Sequence, residues 1–101
     1  MIIHLVLWKM KPMAEGRTGK ENAEILVQRL SALKSVIPCV VSLDVGLNYR
    51  DLPSAYDVGL CTTFKTKEDL EIYQNHPAHV QVADWSKSGI AEARAMADYE
   101  I

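Results

Sequence analysis

An apolar strand-like run, a capped helix, two further strand-like runs, a second capped helix and a β-compatible tail follow one another along the chain. That order, β-α-β-β-α-β, predicts an α+β fold of the ferredoxin-like kind. Four antiparallel strands then form one sheet, helices cover one of its faces, and the other face is bare. The opening run carries apolar side chains on both faces. The bare face is therefore expected to bury itself against a second copy, sheet to sheet, closing an α+β barrel homodimer.

Residues 2–10 are rich in β-branched and aromatic side chains and stop at Lys11-Pro12, which reads as a strand buried on both sides. Alternation places His4, Val6, Trp8 and Met10 on one face and Ile3, Leu5, Leu7 and Lys9 on the other. A loop through Gly16 and Arg17 leads to Thr18, with Glu21 three residues on, a capping-box pattern. The helix it opens is expected to reach about Ser35, with Ala23, Leu26, Leu30 and Leu33 as its apolar stripe and Val27 and Ile37 alongside. Pro38 closes the segment.

A second strand is expected over 39–49, where Val41, Leu43, Val45 and Leu47 alternate with Ser42, Asp44 and Gly46. Gly46 within it marks a bulge or a close backbone approach. After a loop around Pro53, a third strand is expected over 56–65. Thr66 and Asp69 form another N-cap pair, and the helix they open carries Leu70 and Tyr73. Asn75-His76-Pro77 breaks it, because proline lacks a donor and disfavours helical geometry in the residue before it. Pro77 suits the first position of a new helix, expected over 78–85. Between residues 86 and 92 the signals conflict, Ser88-Gly89 weakening a helix and Ala91-Glu92-Ala93 favouring one. Residues 94–101 read as a final edge strand with Tyr99 and Ile101 on one face.

The 101 residues suit one domain over 1–101. A domain of that size buries only about two-thirds of its unfolded surface, a further reason to expect association. Hydrophobic content of 49% and charged content of 24% indicate a globular chain. Net charge is −2, and no basic cluster exists, so a nucleic-acid partner is not expected. The apolar start lacks a basic flank and a small-residue cleavage site and is too short to span a bilayer. No membrane association and a cytoplasmic location are expected. Cys39 and Cys61 form no CxxC pair and read as reduced thiols. With no dinucleotide fingerprint or P-loop, no cofactor is expected.

The chemistry-bearing residues gather at the helix break. His79 has an imidazole whose ordinary pKa of about 6.5 suits a base. The Tyr73 hydroxyl suits orienting a carbonyl or stabilising an enolate. A structural role fits the same residues: Tyr73 as a core aromatic with its hydroxyl at the rim, His79 as a hydrogen-bonded helix-cap residue. His76, preceding proline, reads as structural. His4 reads as a satisfied core histidine unless it approaches His79. No carboxylate joins the His76–His79 spacing as a third ligand, so no metal is expected. Trp8 and Trp85 read as core by default, and Asp57 and Asp98 as hydrogen-bonding residues at loops or strand edges.

The chain resembles the stress-responsive A/B barrel domain (Dabb) family of the dimeric α+β barrel superfamily over nearly its full length. The likeness rests on Ile3-His4-Leu5-Val6-Leu7-Trp8-Lys9, Ile37-Pro38, Gly46-Leu47-Asn48, Tyr56-Asp57-Val58 and Phe64. Above all it rests on the stretch Asp69 to Val80 with its Tyr-x-x-His-Pro-x-His core, and then on Asp98-Tyr99-Glu100. The resemblance implies the barrel dimer and no single activity. By likeness to a plant polyketide cyclase of the family it implies Tyr73 and His79 as catalytic residues. It further implies a substrate pocket bordered by His4, Val6, Trp8, Leu26 and Val58. Val58 stands where that cyclase has a histidine, Ile25, Leu26 and Val27 where it has aromatic residues, and Trp8 where it has a smaller side chain, which implies a narrower pocket. The implied function is a cofactor-free cyclase, isomerase or lyase that abstracts a proton next to a carbonyl in a small apolar substrate. The alternative is a non-catalytic, stress-related homodimer or a binder of a small hydrophobic ligand.

Overall fold

A computed structural model describes residues 1–101. In chain order the elements are β1 (Ile2–Met10), β2 (Met13–Ala14), β3 (Arg17–Thr18), α1 (Gly19–Ser31), α2 (Leu33–Val36), β4 (Ser42–Leu47), β5 (Val58–Phe64), α3 (Lys67–Asn75), α4 (Pro77–Trp85), a π-helical turn (Ser86–Ile90) and β6 (Ala91–Glu100). The main sheet has the order β4-β5-β1-β6, antiparallel throughout. This is the ferredoxin-like arrangement predicted from the element order.

The core lies between the helices and one face of the sheet. Val6, Trp8, Leu60 and Phe64 from the strands meet Leu26, Leu30, Leu33, Tyr73 and Ile90 from the other layer. Both helix starts are capped as their sequences require. Thr18 Oγ1 accepts from the Glu21 amide at 3.2 Å while Glu21 Oε1 accepts from the Thr18 amide at 3.0 Å. Thr66 Oγ1 accepts from the Asp69 amide at 3.1 Å.

Several boundaries differ from the sequence-based expectation. The first helix ends at Ser31, and α2 follows as a separate turn. The Ser31 hydroxyl donates back to the Val27 carbonyl at 2.7 Å, a bond that competes with the helical ladder and bends it. The second strand spans only Ser42–Leu47, the third only Val58–Phe64, and the last starts earlier than expected, at Ala91. Gly46 sits in no bulge: it pairs directly with Gly59. A side chain there would meet nothing within 4 Å. What the two glycines do is hollow the bare face of the sheet. The expected loop around Gly16 contains the β2–β3 hairpin, turned by Glu15 and Gly16, both at positive φ. The Glu15 carboxylate accepts from Arg17 at 3.0 Å and from the Trp85 indole at 3.1 Å, which fastens the hairpin to the end of α4.

On the bare face, Ile3, Leu5 and Leu7 lie beside Gly59, Cys61 and Thr63 on one side and Ala95, Ala97 and Tyr99 on the other. Leu7 is 44% exposed there. Both cysteines are free thiols. No helix is long and apolar enough to cross a membrane.

Candidate active site

The break between α3 and α4 begins with proline chemistry. His76 precedes Pro77 and is extended, at φ −65° and ψ 135°. Its Nδ1 accepts from the Ala78 amide at 3.1 Å, so His76 caps α4, the structural role expected of it. In one continuous helix Tyr73 and His79, six residues apart, would point to different sides. Restarting the helix at Pro77 turns His79 back, and its ring centroid lies 4.5 Å from that of Tyr73.

His79 Nδ1 lies 3.1 Å from the Gln74 carbonyl. A carbonyl only accepts, so Nδ1 carries the proton and Nε2 keeps its lone pair. Burial holds the His79 pKa below its ordinary value, opposed by the bond to Gln74 and reinforced by the neighbouring His4 and the cations Lys87 and Arg94. Near neutral pH this imidazole is neutral, with Nε2 as the basic atom.

Strand register brings in a second histidine. His4 pairs with Asp98 across β1 and β6. The His4 Nδ1–H donates to Asp98 Oδ1 at 2.5 Å, which makes Nε2 the atom His4 offers to other groups. The same register sets Val6 beside Met96 and Trp8 beside Arg94.

These residues enclose a cavity of about 220 Å³. Its floor is His4, Val6 and Trp8 of β1 with Leu60 of β5, and Met96 and Arg94 of β6 extend it to the sheet edge. Leu30, Gln74, His79 and Val82 form its walls, and Asp84, Ser86 and Lys87 line it where α4 passes into the π-helical turn. An apolar cavity of about 150 Å³ takes up benzene. The space here admits one ring with a substituent and is smaller than the roughly 300–1,000 Å³ usual for larger ligands.

The predicted site residues divide accordingly. His79, His4, Val6 and Trp8 line the cavity. Leu26 and Val58 do not: both are fully buried in the core. Leu30, one turn further along α1, borders the space that Leu26 was expected to reach, and Trp8, the cross-strand partner of Val58, occupies the sheet surface there. Tyr73 lies behind His79, packed against Phe64 at 5.1 Å and His4 at 6.2 Å between centroids, with no exposed surface and no place in the lining. Its hydroxyl is buried rather than at the rim, has no hydrogen-bond partner, and is held protonated because burial pushes its pKa up. The Trp8 indole N–H is likewise buried without a partner. Lys87 and Arg94 escaped the sequence reading. Asp98, read as a hydrogen-bonding residue at a strand edge, plays that role on β6 with His4 as its partner. Lys87 lies in the segment whose sequence signals conflict.

The sequence matches the stress responsive A/B barrel domain (Dabb) over residues 2–101. The chain belongs to that family. Solved structures share its fold. A protein of unknown function from Bacteroides fragilis, described as dimeric and ferredoxin-like, is 25% identical, with 99% of this chain and 95% of that one covered and a TM-score of 0.81. A Dabb family protein from Mesorhizobium loti is 22% identical over 99% and 95% of the two chains, with a TM-score of 0.70. A hydroxynitrile lyase from Passiflora edulis is 14% identical over 99% and 92%, with a TM-score of 0.81. No curated protein matches the sequence. Of the residues that the Dabb resemblance points to, His4, Trp8 and His79 thus line one cavity, while Tyr73 supports His79 from behind.

Proposed function

We propose that this Dabb protein is a cofactor-independent enzyme that removes a proton from carbon next to a carbonyl in a small, largely apolar substrate, giving cyclisation, isomerisation or lyase chemistry. The observation that carries the proposal is His79: a half-buried, neutral imidazole whose Nδ1 proton is committed to Gln74, leaving Nε2 as a base in a cavity of one-ring size. His4, oriented by Asp98, offers a second ring nitrogen from the floor. Tyr73 acts as a positioning residue, its ring fixing the His79 plane. The limited space favours a compact substrate over an extended polyketide chain. The cysteines, metal-type clusters and nucleotide motifs have no part in this scheme.

The bare sheet face supports a homodimer as the working unit. Leu5 and Leu7, flanked by Gly46, Gly59 and Cys61, line a shallow apolar hollow into which a second copy's side chains fit. The dimeric description of the Bacteroides fragilis relative points the same way. A second reading, a carrier of a small hydrophobic ligand without turnover, draws on the apolar wall of Val6, Leu30, Leu60 and Val82.

The test is a screen of hydroxynitriles, lactones and short diketones with the wild type and His79→Ala. General-base assistance is worth about 10²–10⁴ in rate, so turnover is expected to fall at least a hundredfold in the variant. Full turnover by His79→Ala rejects the base assignment, and ligand binding with no turnover by the wild type selects the carrier.

A further inference from the structure

The cavity is not uniformly apolar: its mouth carries two cations that take part in no ion pair. Lys87 projects from the π-helical turn and Arg94 from β6, and both line the cavity holding His79. Neither takes part in an ion pair, since the chain's two join His4 to Asp98 and Arg17 to Glu15. Neither side chain donates a hydrogen bond to the protein. The two also border a neighbouring surface hollow together with Glu92, so they converge on one rim. Of the carboxylates nearby, Asp84 shares the cavity lining and Glu92 the hollow, without ion-pair contact to either cation, and Asp98 is committed to His4.

Deeper in, the Trp8 side chain is 4% exposed and its N–H has no acceptor. Buried donors are nearly always satisfied, and the exceptions call for a physical reason. The π-helical turn is a second sign. Such turns cost helical regularity and occur frequently at functional sites, and this one sets Lys87 on the rim.

We propose that the ligand of this cavity is a small carboxylic acid bearing one ring or a chain of similar bulk. Its carboxylate lies between Lys87 and Arg94, and its body rests on the apolar floor with an oxygen facing the Trp8 indole. A planar carboxylate matches the forked guanidinium of Arg94 better than a neutral group does. The inference deepens the proton-abstraction reading by naming the substrate class, a compact oxo acid. It rests on that reading only for the reaction; the binding claim stands on the rim and the indole.

Calorimetric titration of the full chain with benzoate, benzamide and phenyl phosphate tests it. Benzoate is expected to bind about tenfold more tightly than isosteric benzamide, equivalent to ~1.4 kcal/mol. Two exposed cation contacts, each worth up to about 1 kcal/mol, account for such a difference. Lys87→Gln with Arg94→Gln is expected to abolish the preference while leaving benzamide affinity unchanged. Equal binding of benzoate and benzamide, no binding of either, tighter binding of phenyl phosphate than of benzoate, or an undiminished preference in the double variant would each overturn it. Because the readout is binding, its failure is distinct from the failure of His79 as a base, which is read from turnover.

Discussion

Tyr73→Phe removes one oxygen from the centre of the molecule and leaves the ring in place. The ring packs 4.5 Å from His79, 5.1 Å from Phe64 and 6.2 Å from His4, centroid to centroid, and phenylalanine keeps each of these contacts. The hydroxyl is buried in a fully enclosed residue and donates to nothing. Leaving a buried donor unpaired costs about 1–3 kcal/mol of desolvation, and phenylalanine has no such donor. The vacated oxygen volume offsets part of that gain, so the variant is expected to be more stable by ~1 kcal/mol. For a domain of about 100 residues this raises Tm by roughly 4–8 °C. Urea denaturation at one fixed protomer concentration measures it, since association changes apparent stability by mass action. An unchanged m-value shows that the folded and unfolded states are otherwise comparable. A loss of stability of ~1 kcal/mol or more would refute the reasoning, because it would reveal a hydrogen bond from the hydroxyl in solution. The variant also probes the site. If Tyr73 only positions His79, Tyr73→Phe keeps turnover on any substrate found, and Tyr73→Leu, which loses the flat ring, lowers it.

Leu7→Asp places a charge in the middle of the bare sheet face and is expected to give the monomer mass by light scattering at micromolar concentration; an unchanged oligomer mass removes that face from the interface. Thr18→Ala deletes one arm of the capping box at α1 and is expected to cost about 1 kcal/mol by urea denaturation; a change below ~0.3 kcal/mol would show that the cap is redundant. The folded-state pKa of His79 lies below its unfolded value of about 6.5, chiefly through burial. As pH falls, the unfolded chain takes up this proton first. The stability that a neutral His79 contributes is therefore complete above about pH 6.5, is lost as pH drops toward the folded pKa, and changes no further below it. His79→Gln is expected to flatten that part of the stability–pH curve; identical curves for variant and wild type contradict a half-buried neutral imidazole.

The fold was legible because its signals are local and redundant. Thr18–Glu21 and Thr66–Asp69 each announce a helix start within four residues. The alternation in β1 states which side chains face the helices, and the structure keeps every one of those assignments. Pro77 located the break, and the break brings Tyr73 to His79. The misses have a common cause. Gly46 was read as a local backbone device, whereas its role is set by Gly59 on another strand. Leu26 and Val58 were placed in the pocket, but the helix–sheet separation at each point decides whether a side chain reaches a void or the core. Lys87 and Arg94 gain their place in the site, and Asp98 its partner, only from the β1–β6 register and from a π-helical turn, and no short window of sequence contains either.

The division of labour within the site follows from where desolvation is affordable. β1 is the central strand and supplies the apolar floor and His4, whose one buried polar demand Asp98 meets. α4 supplies a neutral imidazole, whose burial is cheaper than that of a charge. The permanent cations come from β6, exposed almost throughout, and from the exposed middle of the π-helical turn. Lysine and arginine there keep their charged heads wet while their stems reach the cavity. Placing either cation on β1 would bury an unpaired charge, at a penalty of several kcal/mol, more than a domain of this size tolerates within a typical total stability of about 5–15 kcal/mol. An edge strand beside the helix layer therefore allows a small domain to present charge to a ligand without burying it, and the exposure of β6 in a single chain is a condition of the site rather than a defect of the fold.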